Sequence, residues 1–131
     1  MNTNHLIEET LTKMGVKYDY DEDGDLYIMY QMKYIYVVHS QDQKFILLAF
    51  SSFFEVEEGQ EMQTLVVCNK ITRENKLIKV FLNPSMRSVS ASCEFFYTDR
   101  KSLENNIKKS LDIMSVARTL FKKTHRELSK E

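Results

Sequence analysis

Apolar positions along the chain recur first at helical spacing, then at every second residue, and at the end at helical spacing again. Leu6, Ile7, Leu11 and Met14 share one side of a helix expected over residues 4–14, with Thr3 or Asn4 to cap its start and Gly15 to end it. Glu8 and Glu9 fall in its early turns, where the positive end of the helix dipole favours them. The period then drops to two. Strands are predicted at Val16–Tyr20, Asp25–Gln31, Tyr34–His39 and Lys44–Phe54, with turns at Asp23-Gly24, Met32-Lys33 and Ser40–Gln43. Connections this short exclude crossovers, so these four strands form an antiparallel meander.

The acidic segment Glu55-Val56-Glu57-Glu58-Gly59 leads into a central unit, Gly59 to Leu82, that divides the sheet-forming sequence in two. It reads as a helix stopping near Asn75, followed at once by a strand at Leu77–Leu82. Leu65, Cys68 and Thr72 lie on one side of this helix with Val67 and Ile71 beside them, and Asn75 suits a left-handed C-terminal residue. Asn83-Pro84-Ser85 is a turn signal. In the sixth strand, Arg87–Tyr97, Val89, Ala91, Cys93 and Phe95 alternate with Ser88, Ser90, Ser92 and Glu94, which predicts one buried and one wet face. Asp99 then opens one long helix to about Leu128, with a stripe of Leu103, Ile107, Leu111, Met114, Ala117 and Phe121 widened by Ile113, Val116 and Leu120. The order α-β-β-β-β-α-β-β-α is an α+β architecture, an antiparallel sheet with helices packed on it, read as a single domain over residues 1–131.

Composition adds one departure from an ordinary globular chain. Hydrophobic content of 43% and charged content of 28% are unexceptional, and one Pro and three Gly leave little room for long loops or a Gly-rich phosphate cradle. The seven Tyr, eight Phe and seven Met are many for 131 residues. Both faces of the first half of the sheet are apolar: Leu26, Ile28 and Tyr30 oppose Tyr27 and Met29, while Phe45, Leu47 and Phe53 oppose Ile46, Leu48, Phe50 and Phe54. Three helices cover one such face well. Either the sheet curls over a helix or the second face meets another chain. The residues expected at that meeting are Tyr27, Met29, Tyr34, Tyr36, Phe53 and Phe54, and the partner is another protein or a second copy in a homodimer.

The formal net charge of −1 hides an uneven spread: residues 1–99 carry nine Lys/Arg and fifteen Asp/Glu, residues 100–131 nine and four. The basic part shares its helix with an apolar stripe and lacks interleaved aromatics, which reads as a solvated face and argues against nucleic acid. Cys68 and Cys93 lie far apart with no C-x-x-C, as expected of free thiols in a reducing cytoplasm. MNTNHLIEETLTKMG has neither the basic nor the apolar region of a signal peptide, and the longest apolar run, Phe45 to Phe50, is too short to span a bilayer.

Motifs for chemistry are scarce. Asp19-x-Asp21-x-Asp23-Gly24-Asp25-Leu26 matches the first half of an EF-hand loop, but position twelve is Tyr30 in place of the bidentate carboxylate, and strand sequence stands where the exiting helix belongs. The segment reads as an acidic turn. His5, His39 and His125 share no metal-ligand spacing, and no metalloprotease, nucleophile-elbow or phosphate-loop pattern occurs. The expectation is a protein that is not an enzyme and takes no cofactor or metal. A small-ligand domain or small enzyme with a pocket between sheet and terminal helix is the alternative. Asn69, Arg73, Asn75 and Lys79 form a polar cluster at a helix end and strand start, a setting for backbone capping and turn chemistry.

The segment from Asn69 to Phe81, NKITRENKLIKVF, resembles the middle segment of the YbjN-type family, bacterial domains described as sensory transduction regulators. The matching pattern is a helix ending in an Asn-rich turn, then a strand with a lysine and an aromatic, here Asn69, Arg73, Lys79 and Phe81. An acidic-turn meander before it and a long terminal helix after it agree in order. The chain departs from the family where a proline often precedes the strand lysine and Ile78 stands here. The resemblance implies a fold similar to type III secretion chaperones, which bind partner polypeptide and commonly dimerise, and it brings no catalytic residues with it.

Overall fold

The computed structural model describes residues 3–40 and 44–130, so the turn expected at Ser40–Gln43 lies largely outside the described residues, as do the side chains of Thr3 and Asn4. Helix α1 (Thr3–Met14) is followed by β1 (Lys17–Tyr20), β2 (Leu26–Tyr30), β3 (Lys33–Ser40) and β4 (Phe45–Glu55). Then come α2 (Glu61–Glu74), β5 (Ile78–Leu82), β6 (Ser88–Phe96), α3 (Arg100–Ser115) and α4 (Ala117–Ser129). The strands make one antiparallel sheet in the order β1-β2-β3-β4-β6-β5, and the helices pack on one side of it. The α+β reading and the element order hold, with the final helix divided in two.

Local chemistry explains the boundaries. Gly15, at φ +73°, closes α1: its N–H donates to the Thr12 carbonyl and that of Val16 to the Leu11 carbonyl, the paired bonds of a Schellman ending. At the β1–β2 tip the Asp21 carboxylate accepts the N–H groups of Asp23 (3.0 Å) and Asp25 (2.9 Å), and Gly24 takes φ +83°. The acidic segment is therefore a turn. The β2–β3 turn sits one residue earlier than expected, because Gln31 and Met32 both take positive φ and Tyr30 pairs with Lys33. Asp99 caps α3 in a reciprocal box with Ser102.

Five expectations need correction. Asn75 is extended, not left-handed; it ends α2 through its own amide, which donates to the Ile71 carbonyl at 2.9 Å, and the left-handed residue is Leu77. Leu65 is exposed, and Thr64 takes the buried position on α2 with Val67, Cys68 and Ile71. Thr72 is exposed too, but it is bonded to β5. Ser90 and Ser92 are buried although they lie on the outer face of β6, because β4 and β5 flank that strand and Ser90 is bonded to Asn83 at 3.0 Å. The single terminal helix breaks at Val116 (φ −104°, ψ −1°), which is exposed and not part of the stripe, so that α3 lies against α1 and β6 while α4 lies against α2.

The fifth correction is Phe53. Between Phe50 and Phe54 β4 advances four residues while β6 moves two, from Ala91 to Val89. This bulge contains Ser52 at φ +50°, whose N–H donates to the Ser90 hydroxyl at 2.8 Å. Extra residues change which face a side chain meets. Phe53 consequently turns inward with Phe54, and both rings meet Phe121 of α4. The core between sheet and helices is continuous, running from Ile7, Leu11 and Ile28 through Ile46, Leu48, Ala91 and Cys93 to Leu103, Met114 and Phe121.

The β5 edge of the sheet is closed by a side chain. The Thr72 hydroxyl of α2 accepts the Val80 N–H at 2.9 Å and faces the Val80 carbonyl at 3.2 Å, engaging the two groups that β5 turns away from β6. Thr72→Val keeps the volume and removes both bonds. The expected cost is about 1 kcal/mol, read as a lower urea midpoint with unchanged slope, together with concentration-dependent association at the unblocked edge. An unchanged midpoint would show that solvent replaces the hydroxyl without loss.

Candidate functional site

The pairing register fixes which side chains share the outer face. Tyr27 stands opposite Tyr36, Tyr36 opposite Ala49, Ala49 opposite Ser92, and Ser92 opposite Lys79, one row across five strands. In neighbouring rows Met29 faces Tyr34, Val38 faces Leu47, and Phe45 faces Phe96. No helix covers this side among the described residues: Tyr34 is 63% exposed, Phe96 66% and Val38 55%. Phe81 on β5 and Met29 on β2 extend the surface to both flanks.

The aromatic side chains fall into two groups. The Tyr27 ring packs edge-on against Tyr34 at 5.6 Å and tilts against Tyr36 at 5.7 Å. Phe45 and Phe96 form a second pair at 5.4 Å. The face has Val38 and Leu47 in the row between the two groups, and the small side chains of Ala49 and Ser92 in the row of Tyr27 and Tyr36. Toward the β1–β2 tip it opens into a groove of about 460 Å³ lined in part by Tyr20, Asp25, Tyr36, Val38, Ala49 and Ser51. Burial of the Tyr36 phenol and its hydrogen bond to the Asp21 carboxylate raise its pKa above the ordinary value, so it presents a neutral hydroxyl at physiological pH. Lys79 and Glu94 pair across β5 and β6 and supply the only ion pair of this face among the described residues.

Of the six residues expected at a partner surface, Tyr27, Met29, Tyr34 and Tyr36 lie together on this face. Phe53 and Phe54 lie on the helix side. Phe45, Leu47 and Phe96 belong to the face as well, and the pairing register is what joins them to the tyrosines. The residues of the polar cluster each have their own setting. Asn69 is exposed on α2, Arg73 lies beside Glu74, Asn75 is the helix cap, and Lys79 is on the sheet face.

Other candidate chemistry stays apart. His5 pairs with Glu9 at 2.9 Å, His39 sits at the end of β3, and His125 packs on Phe54 and Phe121. The carboxylates of Asp21, Asp23 and Asp25 come within 4.8 Å of one another, a consequence of the turn that Asp21 builds. The space between sheet and α3 is filled by core side chains, and the recess at its mouth, beside Met14, Tyr30 and Leu111, holds about 260 Å³. No helix among the described residues is long and apolar enough to cross a membrane.

No family model matches the sequence, and no curated protein does. Solved structures match in three dimensions. YbjN from E. coli, described as a proposed transcription regulator, superposes with a TM-score of 0.71 over 93% of this chain and 90% of its own, at 9% identity. A chain of the ExsC–ExsE complex gives 0.59 over 90% and 92%, at 14% identity. A chain from the Yersinia pestis type III secretion chaperone SycH in complex with a stable fragment of YscM2 gives 0.52 over 82% and 92%, at 15% identity. The fold of this chain is thus the YbjN-type, secretion-chaperone-like fold that the segment from Asn69 to Phe81 led us to expect.

Proposed function

We propose that this chain is a non-enzymatic protein-binding module, adaptor- or chaperone-like, which holds a partner polypeptide on the open face of its sheet. The observation that carries this reading is the one-sided packing of the helices, which leaves Tyr34, Val38 and Phe96 more than half exposed in one contiguous surface with Tyr27, Tyr36 and Phe45. Contiguous apolar surface is costly to leave wet, and aromatic and methionine side chains are what protein interfaces favour. Two of the similar structures are themselves complexes with a second polypeptide, which supports the same use here. Two buried free thiols suit the cytoplasm as its place of work. A second copy of the chain is the other occupant of this chemistry, giving a homodimer through the same face.

The test begins with peptides selected from a displayed random library on the immobilised protein, followed by titration of each selected peptide. Tyr34→Ser combined with Phe96→Ser is expected to weaken binding about tenfold or more. The melting temperature should hold, since both side chains are largely exposed. Full affinity in the double variant would remove this face from the site. A chain that sediments as a monomer and selects no peptide would remove the function.

A further inference from the structure

The exposed side of α4 carries a second organised surface. Arg118, Lys122, Arg126 and Lys130 follow one another at every fourth position, and Lys123 flanks them. All five are exposed, and Glu127 is the only acid within the helix. Positions four apart lie one above the other on a helix, so the four cations make a single row with steps of about 6 Å. Elsewhere several bases are paired with acids: Lys13 with Glu104, Arg100 with Glu9, Lys70 with Glu74 and Lys79 with Glu94. Among the described residues no acid lies within ion-pair distance of any cation in the row. Three successive like-charge contacts on one helix oppose its formation, and the helix is held by its other side, through Ala117, Phe121 and Thr124.

We infer that this row is a docking surface for an acidic polypeptide segment, on the helical side of the molecule and separate from the open sheet face. Charge complementarity selects the partner's sign, and the geometry selects its form. A partner helix with Glu or Asp at every fourth position repeats at the same step of about 6 Å and meets each cation in turn. Nucleic acid fits less well. Residues 1–99 carry a net −6 that repels a long polyanion, and the exposed residues of α4 include no aromatic ring on which a base could stack. A lipid surface fits less well too, because no large apolar side chain is exposed within α4 to enter it.

The experiment uses the full chain and a fluorescein-labelled Glu–Ala peptide with glutamate at every fourth position. Its controls are the same composition with the glutamates gathered at one end, single-stranded oligothymidylate, and phosphatidylserine vesicles. The patterned peptide is expected to bind at low salt and to lose about tenfold in affinity between roughly 50 and 300 mM salt. Lys122→Glu with Arg126→Glu should abolish that binding. Lys122→Glu alone should raise the melting temperature, since it turns two repulsions into attractions and shows that the row is repulsive in a folded protein. Tyr34→Ser should leave the peptide's affinity unchanged, which separates this surface from the sheet face. No binding at low salt, equal binding of the gathered peptide, tighter binding of oligothymidylate or vesicles, or a lower melting temperature for Lys122→Glu would each overturn the inference.

Discussion

Phe121→Ala is expected to remove a large share of the stability of this protein. Phe121 is fully buried, with Phe54 at 4.6 Å, Phe53 at 5.8 Å and His125 at 6.1 Å from its ring. Truncating a buried phenylalanine costs about 3–5 kcal/mol in lost transfer energy and residual cavity, against a typical total of about 5–15 kcal/mol. The site has little means to collapse. Phe53 and Phe54 are held by the β4 bulge, whose Ser52 N–H is bonded to Ser90, and cannot follow the missing ring without breaking that bond. Urea denaturation monitored by far-ultraviolet circular dichroism should show a large fall in midpoint, with the near-ultraviolet aromatic signal weakened in the native state. Phe121→Leu, which keeps most of the volume, should cost much less. A change of under 1 kcal/mol for the alanine variant would mean that α4 is not anchored where the structure places it.

The two thiols should be nearly inert in the folded protein. Burial pushes Cys68 up to about 11. It pushes Cys93 up to about 12, with the neighbouring Ser110 hydroxyl acting weakly in the opposite direction. The thiolate is the reactive form, and each unit of upward shift lowers its population about tenfold at neutral pH. Labelling by a disulfide reagent near neutral pH should be at least about a hundredfold slower than for a free thiol. The two sites should also differ from each other. Cys93 lies on β6 between β4 and β5, so its exposure requires the sheet to open; Cys68 lies on α2, which is tied to the edge strand through Thr72. In Cys68→Ala protein the labelling of Cys93 should follow global unfolding in urea. In Cys93→Ala protein the labelling of Cys68 should depend less steeply on urea, as local opening does. Rapid stoichiometric labelling of either thiol without denaturant would contradict this packing.

Much of the architecture was legible because period and punctuation agree. The six strands carry period-two patterns, Gly15 and Gly24 sit where left-handed residues are needed, and Asp99 is followed by Ser102 at the spacing of a capping box. What escaped the pattern depends on partners distant in sequence. Ser90 and Ser92 read as wet because serine is polar; they are buried by the strands on either side of β6. Strict alternation places Phe53 on the outer face because it runs straight through Ser51 and Ser52, where two extra residues are absorbed. The break at Val116 has no proline or glycine to announce it; α3 and α4 simply pack on different elements. Within the candidate site, the tyrosines of β2 and β3 were recognised from local alternation. Phe96 joins them only through its pairing with Phe45, a register between strands far apart in the chain.

The spacing of buried residues along the last two helices has a consequence for the size of the molecule. Leu103, Ile107, Ser110, Met114, Ala117, Phe121 and Thr124 advance by alternating steps of four and three, the repeat of a long coiled-coil strand. An unbroken helix over residues 100–129 would be about 45 Å long, whereas a globule of this chain length measures about 35 Å across. Such a rod would overhang the body. Divided at Val116, it becomes pieces of about 24 and 20 Å, each shorter than the body it covers. The same seam then wraps a globule instead of seeking a second rod to wind around.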